Sequence, residues 1–322
     1  LGAVPGTASK VTAALGPRAS APPDVVPPEA PGPDGPACAA VAAHLAAQVD
    51  RLLTQDIRVR RDLPDSVHQM RVAARRLRSG LKAFAPLVDP AWAEHLRDEL
   101  GWAAGRLGRA RDTEVLMAHL ADCANDLPPE QRDRARIVVE SHLSGELDSA
   151  RRDVLDTLRS DRYRRLLVDL VDAVHHPHFT AAADQPCSDV LPPLVDRAVR
   201  RLRRRADRLE RNSPTAQWHT TRIAAKRARY AAELVVPVFG RPAKKLVKPL
   251  TAITEVLGDH QDCAVAQQTV RRLAGLGDVG GLDGFHLGLL HRAEGDREGQ
   301  LRDEFLARWP ALRDRLDPAA LR

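Results

Sequence analysis

The chain has 322 residues, of which 43% are hydrophobic and only 3% aromatic, so its core must be built mainly from Leu, Ala and Val. This composition, rich also in Arg, Glu and Asp, indicates a folded, all-α protein and excludes a largely disordered chain. Lys and Arg number 49 against 43 Asp and Glu, and the formal charge of +6 favours a polyanionic partner. No apolar run is long enough to span a membrane as a helix.

The start of the chain and its cysteines indicate what kind of polypeptide it is and in which compartment it is expected. The sequence begins at Leu1 rather than Met and shows no signal peptide, so we expect it to be part of a longer polypeptide. The cysteines are scattered and include no CxxC pair and no Cys/His spacing typical of a metal site. We therefore expect a cytoplasmic protein with reduced thiols and without a bound metal. The four cysteines are Cys38, Cys123, Cys187 and Cys263.

The N-terminal region differs in composition from everything that follows it. Residues 1–36 are rich in Pro, Ala and Gly, which predicts a disordered or extended linker. From Ala37 onward helical periodicity is nearly continuous, and residues 37–187 are predicted to form a first lobe. Its helices are expected at about 37–61, 64–85, 90–106, 110–125, 129–158 and 160–174, followed by a loop at 175–187.

A second lobe is predicted over residues 188–322. Pro214 stands near a helix start, where its missing N–H costs nothing, and Ser213 is the expected N-cap. Gly108 in the first lobe and Gly258 in the second are expected to end helices as C′ residues. The helices of the second lobe are then expected at about 188–211, 214–236, 241–257, 260–275 and 281–308.

The two lobes repeat one pattern at an offset of 150 or 151 residues. Several independent anchors share this offset, which indicates a tandem duplication of one helical unit. The duplication predicts two similar lobes related by a pseudo-two-fold axis. The matching anchors are Pro64 with Pro214, Arg97 with Lys248, and Leu107, Gly108, Asp112 and Val115 with Leu257, Gly258, Asp262 and Val265.

The most informative repeated element is a helix that carries a stripe of cations. Spacings of three and four residues place these side chains within roughly 80° of one helix face, while the opposite face is apolar. Cations held on a rigid helix repel one another and require an anion, and Arg in particular binds phosphate bidentately. The stripes are His68, Arg71, Arg75, Arg78 and Lys82 in the first lobe, and His219, Arg222, Lys226 and Arg229 in the second, where Glu233 takes the fifth place.

The plain alternative is a basic helix face exposed only to solvent. Such a face usually carries acidic residues four positions away, and few stand beside the first stripe. Both lobes also keep the same cationic arc, which favours a binding role and a polyanionic ligand. For the helix that precedes the second stripe, internal pairing with nearby acidic residues is an equal alternative. Further candidates are Arg76 and Arg227 within the stripe helices, Arg201, Arg204 and Arg208 on that preceding helix, and Arg97, Lys245 and Lys248 on the helices that follow.

Patterns typical of catalysis are weak. His175, His176 and His178 cluster in the predicted loop, but without the nearby carboxylate or cysteine spacing that would favour a metal site. No P-loop, GxSxG motif or carboxylate dyad stands out. Asp112 and Asp262 are expected to cap a helix or to pair with an Arg of a stripe. We predict no catalytic residue and no cofactor.

The stripe motifs resemble those of the CHAD family, the conserved-histidine α-helical domain. HQMRVAARRLRSGLKAF and HTTRIAAKRARYAAEL, with the LGRARD and LGDHQD segments, carry the resemblance, which covers about residues 37–310. It implies two four-helix bundles with long connecting helices, and binding of inorganic polyphosphate at a basic surface or pore between them. It also implies no catalysis by the domain itself and an association with polyphosphate granules. The implied binding residues are the two stripes and, beside them, Arg97 and Lys248.

The N-terminal region carries a second resemblance. The segment TASKVTAALG is similar to the end of a CYTH triphosphatase-like domain. This similarity implies that the chain is the C-terminal part of a CYTH–CHAD protein.

Three other functions stay open. A nucleic-acid binder would use the same cations but usually adds aromatic stacking platforms, and the four Trp residues are spread along the chain. A phosphohydrolase that acts on polyphosphate would need carboxylates gathered to bind a metal. A scaffold would bind an acidic partner protein through the same basic faces.

Overall fold

The structure, a computed structural model, describes residue 16 and residues 21–276 and 280–321. Over these residues the chain is helical and contains no β-strand, which confirms the all-α class. None of the helices described there is long and apolar enough to cross a membrane. The helices are α1 (Ala37–Arg60), α2 (Ser66–Ala83), α3 (Pro90–Ala124), α4 (Pro129–Arg159), α5 (Asp161–His175), α6 (Cys187–Ala206), α7 (Thr215–Leu234), the short α8 (Val236–Phe239), α9 (Arg241–Ala274) and α10 (Gly281–Asp314).

The long helices α3 and α9 are uninterrupted, which differs from the prediction. Each replaces two shorter helices that were expected on either side of Gly108 and Gly258. Both glycines lie inside a helix, so their assignment as C′ residues is wrong. A glycine within a helix costs only about 1 kcal/mol relative to alanine. Packing along helices of 35 and 34 residues offsets such a cost.

The start of α7 corrects one expected cap. Ser213 does not cap this helix, because its hydroxyl accepts a hydrogen bond from the backbone N–H of Glu210 at 2.9 Å. Pro214 directly precedes α7 with extended backbone angles, in agreement with a proline near a helix start. The preceding helix, α6, ends at Ala206 and is shorter than predicted, since hydrogen-bonded turns follow it.

The described part of the N-terminal region is extended and packs on the helical body. Val25 is buried, with 3% of its surface exposed. Cys187 donates its backbone N–H to the carbonyl oxygen of Gly35 at 2.9 Å, which ties the entry into α1 to the entry into α6. Residues 21–36 therefore show the extended form of the predicted linker, held against the helices.

Two hydrophobic clusters hold the helices together. The larger contains buried residues from every long helix, including Leu77 of α2 and Ala228 of α7, so both predicted lobes share it. The smaller lies where the far ends of the α3–α4 and α9–α10 hairpins meet, and it includes Leu120 and Leu290. The series α1–α4 recurs as α6, α7, α9 and α10 in similar lengths. The pseudo-two-fold axis and the lobe boundary at residue 187 stay predictions.

Candidate functional site

The two helices that carry the cationic stripes, α2 and α7, pack against one another. The faces opposite the stripes are buried, as predicted. Ala73 and Leu77 on α2, and Ala224 and Ala228 on α7, are each at most 2% exposed. Since these apolar faces point into the core, the stripes point away from it, and the contact between α2 and α7 brings the two stripes together.

One group of cations combines side chains from both helices, and we call Arg75, Arg222, Lys226 and Arg229 the cross-repeat cluster. The guanidinium carbon of Arg75 lies 5.9 Å from the ring centroid of Tyr230, and that of Arg229 lies 5.1 Å from the same centroid. The Nε atoms of Arg75 and Arg222 are buried and have no hydrogen-bond partner within the described residues. The cluster therefore holds unused hydrogen-bond donors beside several positive charges.

Burial and repulsion between like charges lower the pKa values of two side chains in this cluster, Lys226 and Arg222. Burial, followed by the charges of three neighbouring arginines, lowers the pKa of Lys226 to about 8. Burial also lowers the pKa of Arg222, and Arg75 lowers it further, while the carboxylate of Asp262 acts in the opposite direction. A nearby anion would favour the charged form of both side chains. The cluster is thus electrostatically prepared for a negatively charged ligand.

Arg71 anchors the first stripe to α3. Its guanidinium donates to both carboxylate oxygens of Asp112, at 2.9 and 3.3 Å, and to the carbonyl oxygen of Gly108 at 3.2 Å. Of the two roles expected for Asp112, the structure shows the pairing with a stripe arginine. A Cβ atom at position 108 would lie 3.4 Å from Nη2 of Arg71, which places Gly108 directly against this guanidinium.

The two histidines of the stripes have different surroundings. Burial lowers the pKa of His68, and three neighbouring arginines lower it further against the opposing charge of Asp65. The lowered pKa favours the neutral form of His68 at neutral pH, and a polyanion bound beside it would favour the imidazolium form. In the second stripe, Nδ1 of His219 lies 2.5 Å from Oε1 of Gln261.

A second group of cations combines side chains of α2, α3, α6 and α7, and we call Lys82, Arg97, Arg201, Arg205 and Arg227 the α6-side cluster. The charge of Arg97 is the main cause of a lowered pKa at Lys82, and Arg227 adds to it. Burial lowers the pKa of Arg227, and Arg201 and Arg205 lower it further. A cavity of about 190 Å³ lies beside these three arginines. Arg205 was not among the predicted binding residues, although its position one turn after Arg201 places both on the same face of α6.

Glu233 lies between two arginines from different helices. Its carboxylate is 3.6 Å from Nη2 of Arg76 on α2 and 3.3 Å from Nε of Arg229 on α7. Arg229 also donates to Oγ1 of Thr254 at 2.8 Å. The carboxylate that interrupts the second stripe therefore orients Arg229 and links α2 to the cross-repeat cluster.

A family model described as the CHAD domain matches residues 43–271. The chain belongs to the CHAD family. Two uncharacterized proteins from two strains of Mycobacterium tuberculosis are each 34% identical to it over 301 residues, a match that covers 89% of this chain and 55% of each relative. The chain thus spans about half the length of the curated relatives it matches.

The fold of this CHAD domain is similar to that of two solved structures. The CHAD domain from the plant Ricinus communis is 27% identical, with a TM-score of 0.68 and coverage of 90% of this chain and 96% of that one. PptA from Streptomyces chartreusis is 22% identical, with a TM-score of 0.73 and coverage of 86% and 100%. The second similarity shows the fold alone.

The resemblance of the segment TASKVTAALG to a CYTH domain gains no support from these comparisons. The family match begins at residue 43 and does not reach this segment. Within the segment, only Gly16 belongs to the described residues.

Nine of the predicted binding residues lie outside both cation clusters of the CHAD domain, and the contacts of four of them are described above: His68, Arg71, Arg76 and His219. Arg78 is exposed beside α3, where a Cβ atom on Gly101 would lie 3.4 Å from the guanidinium carbon. The other four are exposed on α6, on the turn that follows it and on α9, and the described part of the chain offers them no ion pair. These four are Arg204, Arg208, Lys245 and Lys248. Their part in binding stays a prediction.

The three loop histidines do not converge on one point. His176 contacts the carboxylate of Asp172 at 2.9 Å, one turn earlier in α5. His178 stacks instead on the ring of Trp92, with centroids 5.5 Å apart. His175 lies 2.9 Å from the backbone carbonyl oxygen of Asp24, so the three histidines have different partners.

Proposed function

We propose that this CHAD domain binds inorganic polyphosphate at the cross-repeat cluster and does not convert it chemically. The main support for the proposal is that Arg75 of the first stripe lies near Arg222 and Lys226 of the second. Because each half contributes cations to one place, a linear phosphate chain would be contacted from two sides. The guanidinium groups of the two arginines supply directed, charge-assisted hydrogen bonds to phosphate in addition to charge.

The α6-side cluster extends the cationic surface along the same two helices. It also combines both halves, since Lys82 belongs to the first stripe and Arg227 to α7. A single phosphate group needs only one cluster, whereas a polymer charged at every phosphate can occupy both. Release of counterions supplies much of the affinity for such a polymer, by analogy with nucleic acids. Binding is therefore expected to weaken steeply as salt is added.

The carboxylates near the clusters favour binding over hydrolysis. Asp112 contacts Arg71, Glu233 contacts two arginines, and Asp262 lies near Arg222. A metal-dependent hydrolase would instead gather its carboxylates around a metal ion. A domain that binds polyphosphate without consuming it would be retained at polyphosphate granules, and we propose this as its cellular consequence.

Nucleic-acid binding is the second candidate function, and the position of Tyr230 argues against it. This ring is the aromatic group at the cross-repeat cluster, yet it is only 6% exposed and lies beneath Arg75 and Arg229. Stacking of bases on accessible aromatic rings is the usual feature of proteins that bind single-stranded nucleic acids. Tyr230 cannot provide such a platform, so the geometry fits a ligand that has phosphates but no bases.

A competitive titration tests the proposal. The whole chain is titrated with long-chain polyphosphate at physiological salt, with RNA, single-stranded DNA and tripolyphosphate as competitors. We expect tight binding that an excess of nucleic acid does not displace, and weak competition by tripolyphosphate because it cannot reach both clusters. Equal displacement by RNA or DNA, or release of phosphate in the presence of Mg²⁺ or Mn²⁺, would contradict the proposal.

The affinity for polyphosphate should depend on the protonation of Lys226. Its pKa is lowered to about 8 in the free domain, so the amine loses its charge as the pH rises through this value. A bound polyanion raises that pKa, and binding therefore takes up a proton and weakens with rising pH. The Lys226→Arg variant keeps its charge, so the loss of affinity as the pH rises through about 8 should be absent from its titrations. An equal loss of affinity in this variant would show that another group is responsible.

Glu233 should limit the affinity of the cross-repeat cluster. In the Glu233→Gln variant, Arg76 and Arg229 lose a competing carboxylate and become available to phosphate. Partly exposed ion pairs are worth about 0–1 kcal/mol, so we expect binding to tighten by roughly 2- to 5-fold. The control is Glu304→Gln, which removes the same charge from a pair with Arg308 on α10. Equal gains in both variants would indicate an effect of net charge alone.

A further inference from the structure

Another group of reactive side chains lies beside the smaller hydrophobic cluster, and we call His119, Cys123, Cys263 and Glu294 the His–Cys–Cys–Glu group. The first two stand one turn apart on α3, and the others lie on α9 and α10. Cys123 packs directly against the apolar residues of this cluster. Three helices, drawn from both predicted lobes, therefore converge on one group of metal-binding residue types.

Three of these side chains present donor atoms to one point. A ring nitrogen of His119, Sγ of Cys263 and a carboxylate oxygen of Glu294 all lie within 4.8 Å of one another. Nε2 of His119 is 2.9 Å from Oε2 of Glu294. Glu294 is completely buried, and its other oxygen, Oε1, has no hydrogen-bond partner among the described residues. A buried carboxylate with an unused oxygen is costly unless a donor or a cation satisfies it.

Cys123 is the candidate for a fourth ligand. It stands one turn after His119, so the two side chains share one face of α3. Its thiol is not among the three donor atoms that lie within 4.8 Å of one another. Cys123 would therefore have to turn towards an ion held by the other three.

We propose that the His–Cys–Cys–Glu group is a tetrahedral zinc site. Zinc takes imidazole nitrogen, thiolate sulfur and carboxylate oxygen as ligands, and a mixed set of four is compatible with its preferred geometry. Bonds of about 2.0–2.3 Å place tetrahedral donors roughly 3.5 Å apart, so the His119–Glu294 pair at 2.9 Å would separate while more distant donors would approach one another. With Cys123 as the fourth ligand no open position is left, which is typical of a structural rather than a catalytic zinc.

A zinc ion at this position would join the two long hairpins. It would link α3 to α9 and α10 at the point where the smaller hydrophobic cluster holds them. It would also neutralise the buried carboxylate of Glu294 and replace the protons of two thiols. Without an ion, the same residues would form only a hydrogen-bonded network around this carboxylate. A zinc site would bind added metal, whereas a hydrogen-bonded network would not. This difference can be measured independently of polyphosphate binding.

Titration of the whole chain with cobalt distinguishes a zinc site from a hydrogen-bonded network. The protein, freed of any affinity tag, reduced and stripped with a chelator, is titrated with Co²⁺ and then with Zn²⁺. We expect one equivalent of Co²⁺ to give tetrahedral d–d bands and a thiolate-to-metal charge-transfer band, both abolished by Zn²⁺. The Cys123→Ser/Cys263→Ser variant should lose these bands. The matched control is Cys38→Ser/Cys187→Ser, a neighbouring thiol pair elsewhere in the chain, which should keep them.

Alkylation of the unaltered chain provides a measurement that does not depend on variants that fold. We expect Zn²⁺ to slow the alkylation of Cys123 and Cys263, located by mass spectrometry, and to leave that of the half-buried Cys38 unchanged. The proposal is overturned if the wild-type chain shows no tetrahedral Co²⁺ spectrum. It is equally overturned if the spectrum survives in the folded Cys123→Ser/Cys263→Ser variant, or if zinc protects neither thiol.

Discussion

Replacing Arg75 and Lys226 together by alanine is expected to weaken polyphosphate binding by about 100-fold or more. One residue comes from each half of the chain, and both belong to the cross-repeat cluster. A hydrogen bond to a charged group contributes about 1.5–3 kcal/mol, and two such losses correspond to at least about two factors of ten in affinity. Calorimetric titration with long-chain polyphosphate measures the change. Helix content should be unaffected, because the substitution relieves repulsion between like charges.

The control for this variant removes the same charge elsewhere. Arg292 and Arg308 on α10 are exposed or nearly so, and each is paired with a carboxylate four residues away. Their joint replacement by alanine should reduce affinity only slightly, through net charge. If both double variants weaken binding equally, polyphosphate is attracted by the overall charge of the domain and the cross-repeat cluster is not its site.

The Trp218→Ala variant should lose about 3–5 kcal/mol of unfolding free energy, the usual cost of removing a large buried aromatic side chain. Trp218 is only 1% exposed and stacks on His260, with ring centroids 4.9 Å apart. Phe305 meets it edge-on at 5.5 Å, and Arg302 lies over its ring. Since folded domains are typically stable by about 5–15 kcal/mol, this loss would be a large part of the total. Denaturant unfolding followed by helix content measures it.

Two further substitutions show whether the loss arises from packing at this position. Trp92 is half-buried rather than enclosed, so Trp92→Ala should cost clearly less. Trp218→Phe keeps an aromatic ring and removes an indole N–H that has no partner in the described part of the chain, so it should also cost less than alanine. Equal losses in Trp218→Ala and Trp92→Ala would mean that burial of Trp218 does not anchor α7.

The features that could be predicted from the sequence are those set by local periodicity. The stripe residues and the buried face with Leu77 and Ala228 follow from the pitch of a helix, which the sequence displays directly. The ends of the long helices were harder to predict. Gly108 and Gly258 looked like helix ends, but the packing of long hairpins overrides the weak preference of a single glycine.

The features that could not be predicted are those that depend on how distant helices meet. Arg75 and Lys226 are 151 positions apart in the chain, and only the contact between α2 and α7 brings them together. The same holds for the His–Cys–Cys–Glu group, which requires three helices. Its one local signal was the spacing of His119 and Cys123, which matches a helical turn but differs from the short cysteine motifs of familiar zinc sites.

Lysine footprinting tests the central claim, that polyphosphate binds where the two stripes meet. The chain has few lysines, and they report on separate surfaces: Lys82 and Lys226 belong to the two cation clusters, and Lys244, Lys245 and Lys248 lie near the start of α9. An acylating reagent, with mass spectrometry to locate the modified sites, compares the chain with and without long-chain polyphosphate. The account predicts strong protection of Lys226 and Lys82 and weaker protection of the α9 lysines. Protection confined to α9, with Lys226 as reactive as in the free chain, would contradict it.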